Sequence, residues 1–307
     1  MLVSHPCRLA LVLVGLVSVV APLPAQAAFP GANGAVAYVG ARDKLRVEYP
    51  DGTVRRPGFG VDPAWSPDGT RIAYSDVVDI WTMDPDGTNK VRVTSGPRSD
   101  TSPAWSPDGT TIVFVGQGTA EDAELFTVGA NAPFGDPVPL TDTPGHELDP
   151  AWSPDGTSIA FSLDQCVPRC GRRIGVVGAD GQGYGLLTPA IGATEVTPDW
   201  SPDSTRLLFA SNRHHIEFAS WDTLAKDLDV YSIPASGGRL TRLTTGRHHA
   251  RSGTPVWSPD GTRFLYTHVS RHGVQTLRIR AFDRSFRTTV GRVTGQMNYP
   301  PDWQPLP

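Results

Sequence analysis

The chain of 307 residues sets 27 Lys and Arg against 31 Asp and Glu, a formal charge of −4. That balance excludes the basic excess of an ordinary nucleic-acid binder, and 19% charged residues leave little material for long surface helices. With 32 Gly, 29 Pro and 8 Trp beside a 39% hydrophobic fraction, the composition is that of a folded, turn-rich, all-β chain.

The first element is a leader. Arg8 precedes an apolar run from Leu9 to Val20, and Ala25-Gln26-Ala27 supplies a small-x-small cleavage site. This is the pattern of a secretory signal, and the run is shorter than the roughly 20 residues of a membrane span. Residues 1–27 are therefore expected to be removed, and residues 28–307 to form a single exported domain, secreted, extracellular or periplasmic. No second long apolar stretch follows, so the mature chain should have no transmembrane segment. Cys7 lies ahead of the apolar run, where no lipoprotein motif could use it.

Next come three predicted strands, Gly34–Gly40, Lys44–Tyr49 and Thr53–Gly58, with no partner strand before them. Then a repeat begins. Asp62-Pro63-Ala64-Trp65-Ser66-Pro67-Asp68-Gly69-Thr70-Arg71-Ile72-Ala73-Tyr74 recurs four more times, with tryptophans at Trp65, Trp105, Trp152, Trp200 and Trp257 spaced by 40, 47, 48 and 57 residues. Ser-Pro-Asp-Gly suits a type I turn closed by a residue with φ > 0, so each copy reads as a hairpin. Ser204 stands where the fourth copy should have glycine, and keeping the left-handed conformation there should cost on the order of 1 kcal/mol. A third strand follows in each unit, as in Asp79–Met83 and Asp229–Ile233, then a turn such as Asp84-Pro85-Asp86-Gly87, then a fourth strand ending in Leu-Thr or Val-Thr. The turn lacks the downstream Glu of a calcium loop.

Within the third copy, Cys166 and Cys170 are predicted to form a local disulfide in an oxidising compartment, free thiols being the other reading. No further Cys or His stands at ligand spacing to make them a metal site. The chain ends on a truncated copy, Tyr299–Pro305, which is an inner strand without partners. Joined to the three orphan strands it completes a sixth unit. Four antiparallel strands per 40–50 residues are the mark of a β-propeller blade. The predicted fold is a six-bladed propeller of four-stranded antiparallel blades, closed by its C-terminal strand.

The repeat Pro-x-Trp-Ser-Pro-Asp-Gly-x-x-Ile-Ala-Phe resembles the PD40, or WD40-like, repeat of the TolB propeller family. Phe29-Pro30-Gly31-Ala32-Asn33-Gly34 also resembles the mature start of exported members. The resemblance covers residues 28–307 and implies the propeller fold. It departs in one respect, since the family's founding protein carries an α/β domain ahead of its propeller and this chain leaves no room for one. Propellers host many unrelated activities, so fold alone names no function.

The two turns of each blade share one face. The loops from second to third strand, and from fourth strand to the next blade, share the other, and these vary in length. Variable loops on a rigid scaffold are the usual place of binding. His146, His214, His215, His248, His249, His268 and His272 all fall in predicted variable-face loops, six of them in the last two full blades beside Arg213, Arg247, Arg251 and Arg271. Three readings stay open: polar loops that merely collect His and Arg, a basic patch for an anionic carbohydrate, a phosphate or an acidic partner, or a transition-metal site. Five residues before each tryptophan stand Gly60, Asp100, Glu147, Glu195, Ser252 and Asn298. They should ring the channel mouth, where three acids could take Ca²⁺ or simply be solvated. No cofactor is otherwise expected, and a monomer is.

Two functions follow. One is a non-catalytic propeller that binds an unknown protein or an anionic carbohydrate. The other is a propeller enzyme, a metal-dependent hydrolase or a lyase at the channel mouth. A serine-hydrolase elbow, Gly-x-Ser-x-Gly, is absent from the sequence.

Overall fold

The computed structural model describes residues 31–118, 122–131, 133–165, 171–214, 228–245, 251–270, 272, 274–293 and 299–306. Six antiparallel four-stranded sheets follow one another around a ring, and they contain all the regular structure among the described residues. Blade 1 comprises β1 (Ala32–Val39), β2 (Lys44–Glu48) and β3 (Val54–Phe59); blade 2 comprises β4 (Val61–Trp65), β5 (Ile72–Ser75), β6 (Ile80–Met83) and β7 (Val91–Arg92). Blade 3 runs through β8 (Ser99–Trp105), β9 (Thr111–Gln117), β10 (Ala123–Gly129) and β11 (Val138–Pro139), and blade 4 through β12 (His146–Trp152), β13 (Ser158–Gln165), β14 (Gly171–Gly178) and β15 (Gly185–Leu186). Blade 5 holds β16 (Glu195–Trp200), β17 (Arg206–Ser211), β18 (Asp229–Pro234) and β19 (Thr241–Arg242), and blade 6 holds β20 (Arg251–Trp257), β21 (Arg263–Val269), β22 (Gln275–Ala281) and β23 (Arg287–Val293).

The last strand, β24 (Asp302–Leu306), completes blade 1 as its inner strand. It pairs antiparallel with β1, Ala32 opposite Leu306 and Val36 opposite Trp303. The ring therefore closes as the orphan copy predicts, with the closing strand starting at Asp302 rather than Tyr299. Pro300 and Pro301 explain the shift, because neither can donate to a ladder.

Each Ser-Pro-Asp-Gly turn satisfies itself. Gly69 N bonds Ser66 O, the Asp68 carboxylate accepts from Ser66 Oγ, Thr70 N and Thr70 Oγ1, and Ser66 Oγ accepts from Arg71 N. The same set recurs at Ser106–Thr111 and Ser153–Ser158. At Asp108 the Ser106 hydroxyl, opposed by partial burial, holds the carboxyl below its ordinary range. Ser204 keeps the left-handed conformation at φ 58°. Its hydroxyl accepts from Asp155 N of the neighbouring turn at 3.0 Å, an inter-blade bond that glycine could not make and that offsets the strain.

The hydrophobic core is divided into six seams rather than concentrated at a centre. Trp65 packs with Leu45 and Val47 of blade 1, Trp105 with Ala73 and Ile80 of blade 2, and Trp200 with Ala160 and Ile174 of blade 4. Each repeat tryptophan thus reaches back to the preceding blade. The indoles of Trp105 and Trp200 also donate to Ala64 O and Ala151 O across their seams, both at 3.1 Å.

Candidate functional site

The inner strand of every repeat is bulged at its x-Pro pair. Asp62-Pro63 lies opposite the single residue Tyr74, since Val61 pairs with Ser75 and Ala64 with Ala73. The inner strands β8, β12, β16 and β20 bulge at the same point. A two-against-one bulge is where a missing proline donor does least harm. The residue before each proline is left-handed: Asp62, Ser102, Asp149, Thr197 and Thr254 have φ between 43° and 53°. For the two threonines that is a strained conformation.

The bulges line the channel. A cavity of about 130 Å³ runs through the middle, walled by Asp62, Ser102, Asp149 and Thr197, then by Asp199 and Asp302 one residue before their tryptophans. Four carboxyl groups thus face a narrow space, and each ties its blade to the next. Asp62 accepts from Ser102 N and Oγ at 3.2 Å, and Asp149 from Thr197 N at 3.2 Å. Asp199 accepts from Trp257 N, and Asp302 from Trp65 N, both at 2.6 Å. Loss of solvent pushes Asp62 up to about 7, with the Asp149 charge adding to the effect. Burial likewise pushes Asp302 up to about 7 and Asp199 to about 8, and it raises Asp149.

The residues five before the tryptophans sit elsewhere. Asp100, Glu147 and Glu195 lie within the strands and are buried, so they are neither solvated loop residues nor part of the channel wall. The bulge explains this. An odd spacing of five would put them on the blade face opposite the tryptophan, but the extra residue returns them to the same face, toward the preceding blade. Glu147 accepts from Thr143 Oγ1 at 2.8 Å, from Thr141 Oγ1, and from Leu125 N at 3.3 Å, all from blade 3 and its exit loop. Glu124 shares Thr141, and burial, then the Glu147 charge, push it up to about 7. Asp100 lies 3.4 Å from Arg98 Nε, and burial raises its carboxyl. Among the described residues, no group of three or more His, Cys, Asp or Glu is arranged to hold a metal ion.

Glu195 does join another predicted residue. It pairs with Arg213, whose guanidinium lies 5.7 Å from the centre of the Tyr231 ring. His214 stacks on the same ring at 5.7 Å and shares a hydrogen bond with its hydroxyl. Glu195 Oε2 and Arg213 Nε are buried without a hydrogen-bond partner among the described residues. Burial is the main cause that pushes Tyr231 to about 12. Two other histidines lie in strands, not loops. His146 opens β12 and accepts from Ala123 N at 3.1 Å. His268 lies in β21, where burial, then Arg278 and Arg287, hold it down at about 4. It therefore stays neutral near pH 6. Arg251 opens β20. His215, His248, His249, Asn298, Cys166 and Cys170 lie outside the described residues, as do residues 1–30, which include the expected leader.

The variable face also presents a built apolar loop. Between β5 and β6, the Asp76 carboxylate accepts from Val78 N, Asp79 N and Trp81 Nε1 at 2.8–3.0 Å. Ser99 Oγ and Asp100 N of blade 3 grip Val77 O and Val78 O at 2.8 and 2.9 Å. The side chains of Val77 and Val78 are left 46% and 49% exposed, and Val77 has φ 70°.

Sequence reading missed the four channel acids and this loop. Aligning the copies on tryptophan does show Asp62 and Asp149 before proline and Asp199 and Asp302 where other copies carry Ala or Val.

Comparison with known proteins agrees with this architecture. The putative TolB from Agrobacterium tumefaciens superposes with a TM-score of 0.67 at 18% identity, over 89% of this chain and 97% of that one. TolB from Acinetobacter baumannii gives 0.70 at 20% identity, over 89% and 67%. An oligogalacturonate lyase in complex with manganese gives 0.55 at 14% identity, over 81% and 70%. No curated protein sequence matches. The family description "TolB beta propeller domain", PD40, matches residues 135–306, more than half of the chain, and with the ring, its repeats and its closure in place the chain belongs to the TolB β-propeller family.

Proposed function

We propose that the chain is an exported scaffold that binds a protein partner through its variable face, with the loop of residues 76–79 as one anchor. The observation that carries this reading is the pair of exposed valines on a loop fixed by Asp76 and by blade 3. Exposed apolar side chains on a rigid loop bind with little ordering cost. Export rests on the leader pattern of residues 1–27 and on family membership. The likeness to two TolB structures supports the scaffold role by fold. The test is capture of a partner from a periplasmic extract on immobilised protein, with Val77→Asp/Val78→Asp on the variable face and Thr70→Lys on the turn face. Loss of the same partner only in the valine variant is expected. Capture that survives in the valine variant overturns this face as the binding surface.

A second reading, a propeller enzyme, has one observation in its favour: Glu195, Arg213, His214 and Tyr231 gather acid, base and cation at one place. Elemental analysis separates the two. Stoichiometric calcium or zinc in purified protein favours the enzyme.

A further inference from the structure

The turns between third and fourth strands press on the preceding blade at some seams, and the turn of blade 6 borders a cleft. In blade 2, a Cβ on Gly87 would stand 2.9 Å from Pro57 Cα and O of blade 1, and in blade 4 a Cβ on Gly181 would stand 2.5 Å from Leu140 O of blade 3. At these seams the turn between third and fourth strand presses on the preceding blade. The matching turn of blade 6 is Asp283-Arg284-Ser285-Phe286, without glycine, and beside it the seam with blade 5 opens into a cleft of about 590 Å³. That size is in the range of small-molecule sites.

Its lining combines two features. Trp257 and Phe282 stack with centroids 4.2 Å apart, and Phe286, 40% exposed, extends the aromatic wall. Arg206 and Arg263 flank that wall, and neither has a carboxylate partner among the described residues. Arg71, at the position of these two in blade 2, does have one, Asp84 at 3.8 Å. Arg206 is oriented by Ser232 Oγ at 2.9 and 2.6 Å, and Arg263 lies 4.9 Å from the centre of the Phe286 ring. The one acid in the lining, Asp283, is engaged by Ser285 N and Oγ at 2.8 and 2.6 Å.

We propose that this cleft binds a small aromatic acid. Its ring packs against Trp257, Phe282 and Phe286, and its carboxylate is answered by Arg206 and Arg263. Guanidinium forks match carboxylates in geometry and charge, and the aromatic faces take the ring. This site lies on the face opposite the proposed protein-binding loop, so either can fail without the other.

The test is calorimetric titration of the mature protein with 2-naphthoate, its neutral analogue 2-naphthalenemethanol, and inorganic phosphate. Expected are one naphthoate site per chain, at least tenfold weaker binding of the alcohol, and no competition by phosphate at equal concentration. Arg263→Gln and Phe286→Ala should each weaken naphthoate about tenfold. Both alter exposed or half-exposed positions, so their unliganded melting temperatures should stay near wild type. Three results overturn the site: no naphthoate binding at millimolar concentration, equal affinity in both variants and wild type, or equal binding of acid and alcohol. Phosphate displacing naphthoate overturns the aromatic specificity.

Discussion

The two faces of the ring are built on opposite plans. On the turn face each Ser-Pro-Asp-Gly-Thr segment closes its own hydrogen bonds and leans on its neighbour. The Cβ that Gly109 and Gly156 lack would meet the prolines of the preceding turns, Pro67 and Pro107, at 3.4 and 3.1 Å. On the variable face each loop is unlike the next, and one is a valine-tipped loop held from two blades. The difference teaches where change is tolerated. A repeated turn carries the spacing of the ring and answers to two neighbours, whereas a variable loop answers to its own anchors.

The strongest way to break the comparison is to remove what both faces share, the closure. A chain ending at Met297 lacks β24, the seam of Trp303 with Val36 and Leu265, and the Asp302 bond to Trp65. Loss of a buried tryptophan alone costs about 3–5 kcal/mol, so the melting temperature should collapse or cooperative melting disappear. A truncated chain that melts with the full one would show that the ring closes otherwise.

Glycines of the turn face sharpen the contrast. Gly181→Ala combines φ 80° with a Cβ 2.5 Å from backbone oxygen, whereas Gly237→Ala has φ 81° and open space around it. Denaturant titration should find the first less stable by roughly 2–3 kcal/mol and the second by about 1 kcal/mol. Equal losses would mean that the turns do not press across the seams.

The channel gives a pH signature. Asp62, Asp199 and Asp302 hold their protons up to about 7, 8 and 7, while an unfolded chain releases them in the ordinary carboxylate range. Between those values the native state binds more protons, so stability should fall as pH rises from about 4 to 8 and level off above. Asp302→Asn should flatten that slope in denaturant titrations taken at several pH values. A slope unchanged from wild type would show that Asp302 is not a source of it.

The smallest effect concerns the one irregular turn. Ser204→Gly relieves a left-handed serine but removes the bond from Asp155 N. The two should nearly cancel, within about 0.5 kcal/mol by thermal melting. A gain of a full kcal/mol would mean that the hydroxyl contributes nothing.

Much of this was legible in the sequence. Tryptophan spacing and the Ser-Pro-Asp-Gly turn set out the blades, and the unpaired ends at Gly34 and Tyr299 set out the closure. The channel wall was not legible, because side-chain direction in a strand is read from alternation, and the bulge at Asp62-Pro63 adds one residue to the count. Asp100, Glu147 and Glu195 consequently prove buried toward the seams rather than solvated. The aromatic cleft was hidden for another reason. It arises from what the blade 6 turn fails to fill, and no residue pattern announces a gap.

Pairing of Ala32 with Leu306 places the two ends of the propeller side by side in one sheet. The place where the polypeptide is cut is therefore incidental to the ring. Residues 31 and 306 could be linked and new ends opened in a variable-face loop, a circular permutation that keeps every blade and merely moves the point of entry. Such a rewired chain would also shift which blade depends on a strand made last, and with it the blade whose assembly must wait for the whole chain.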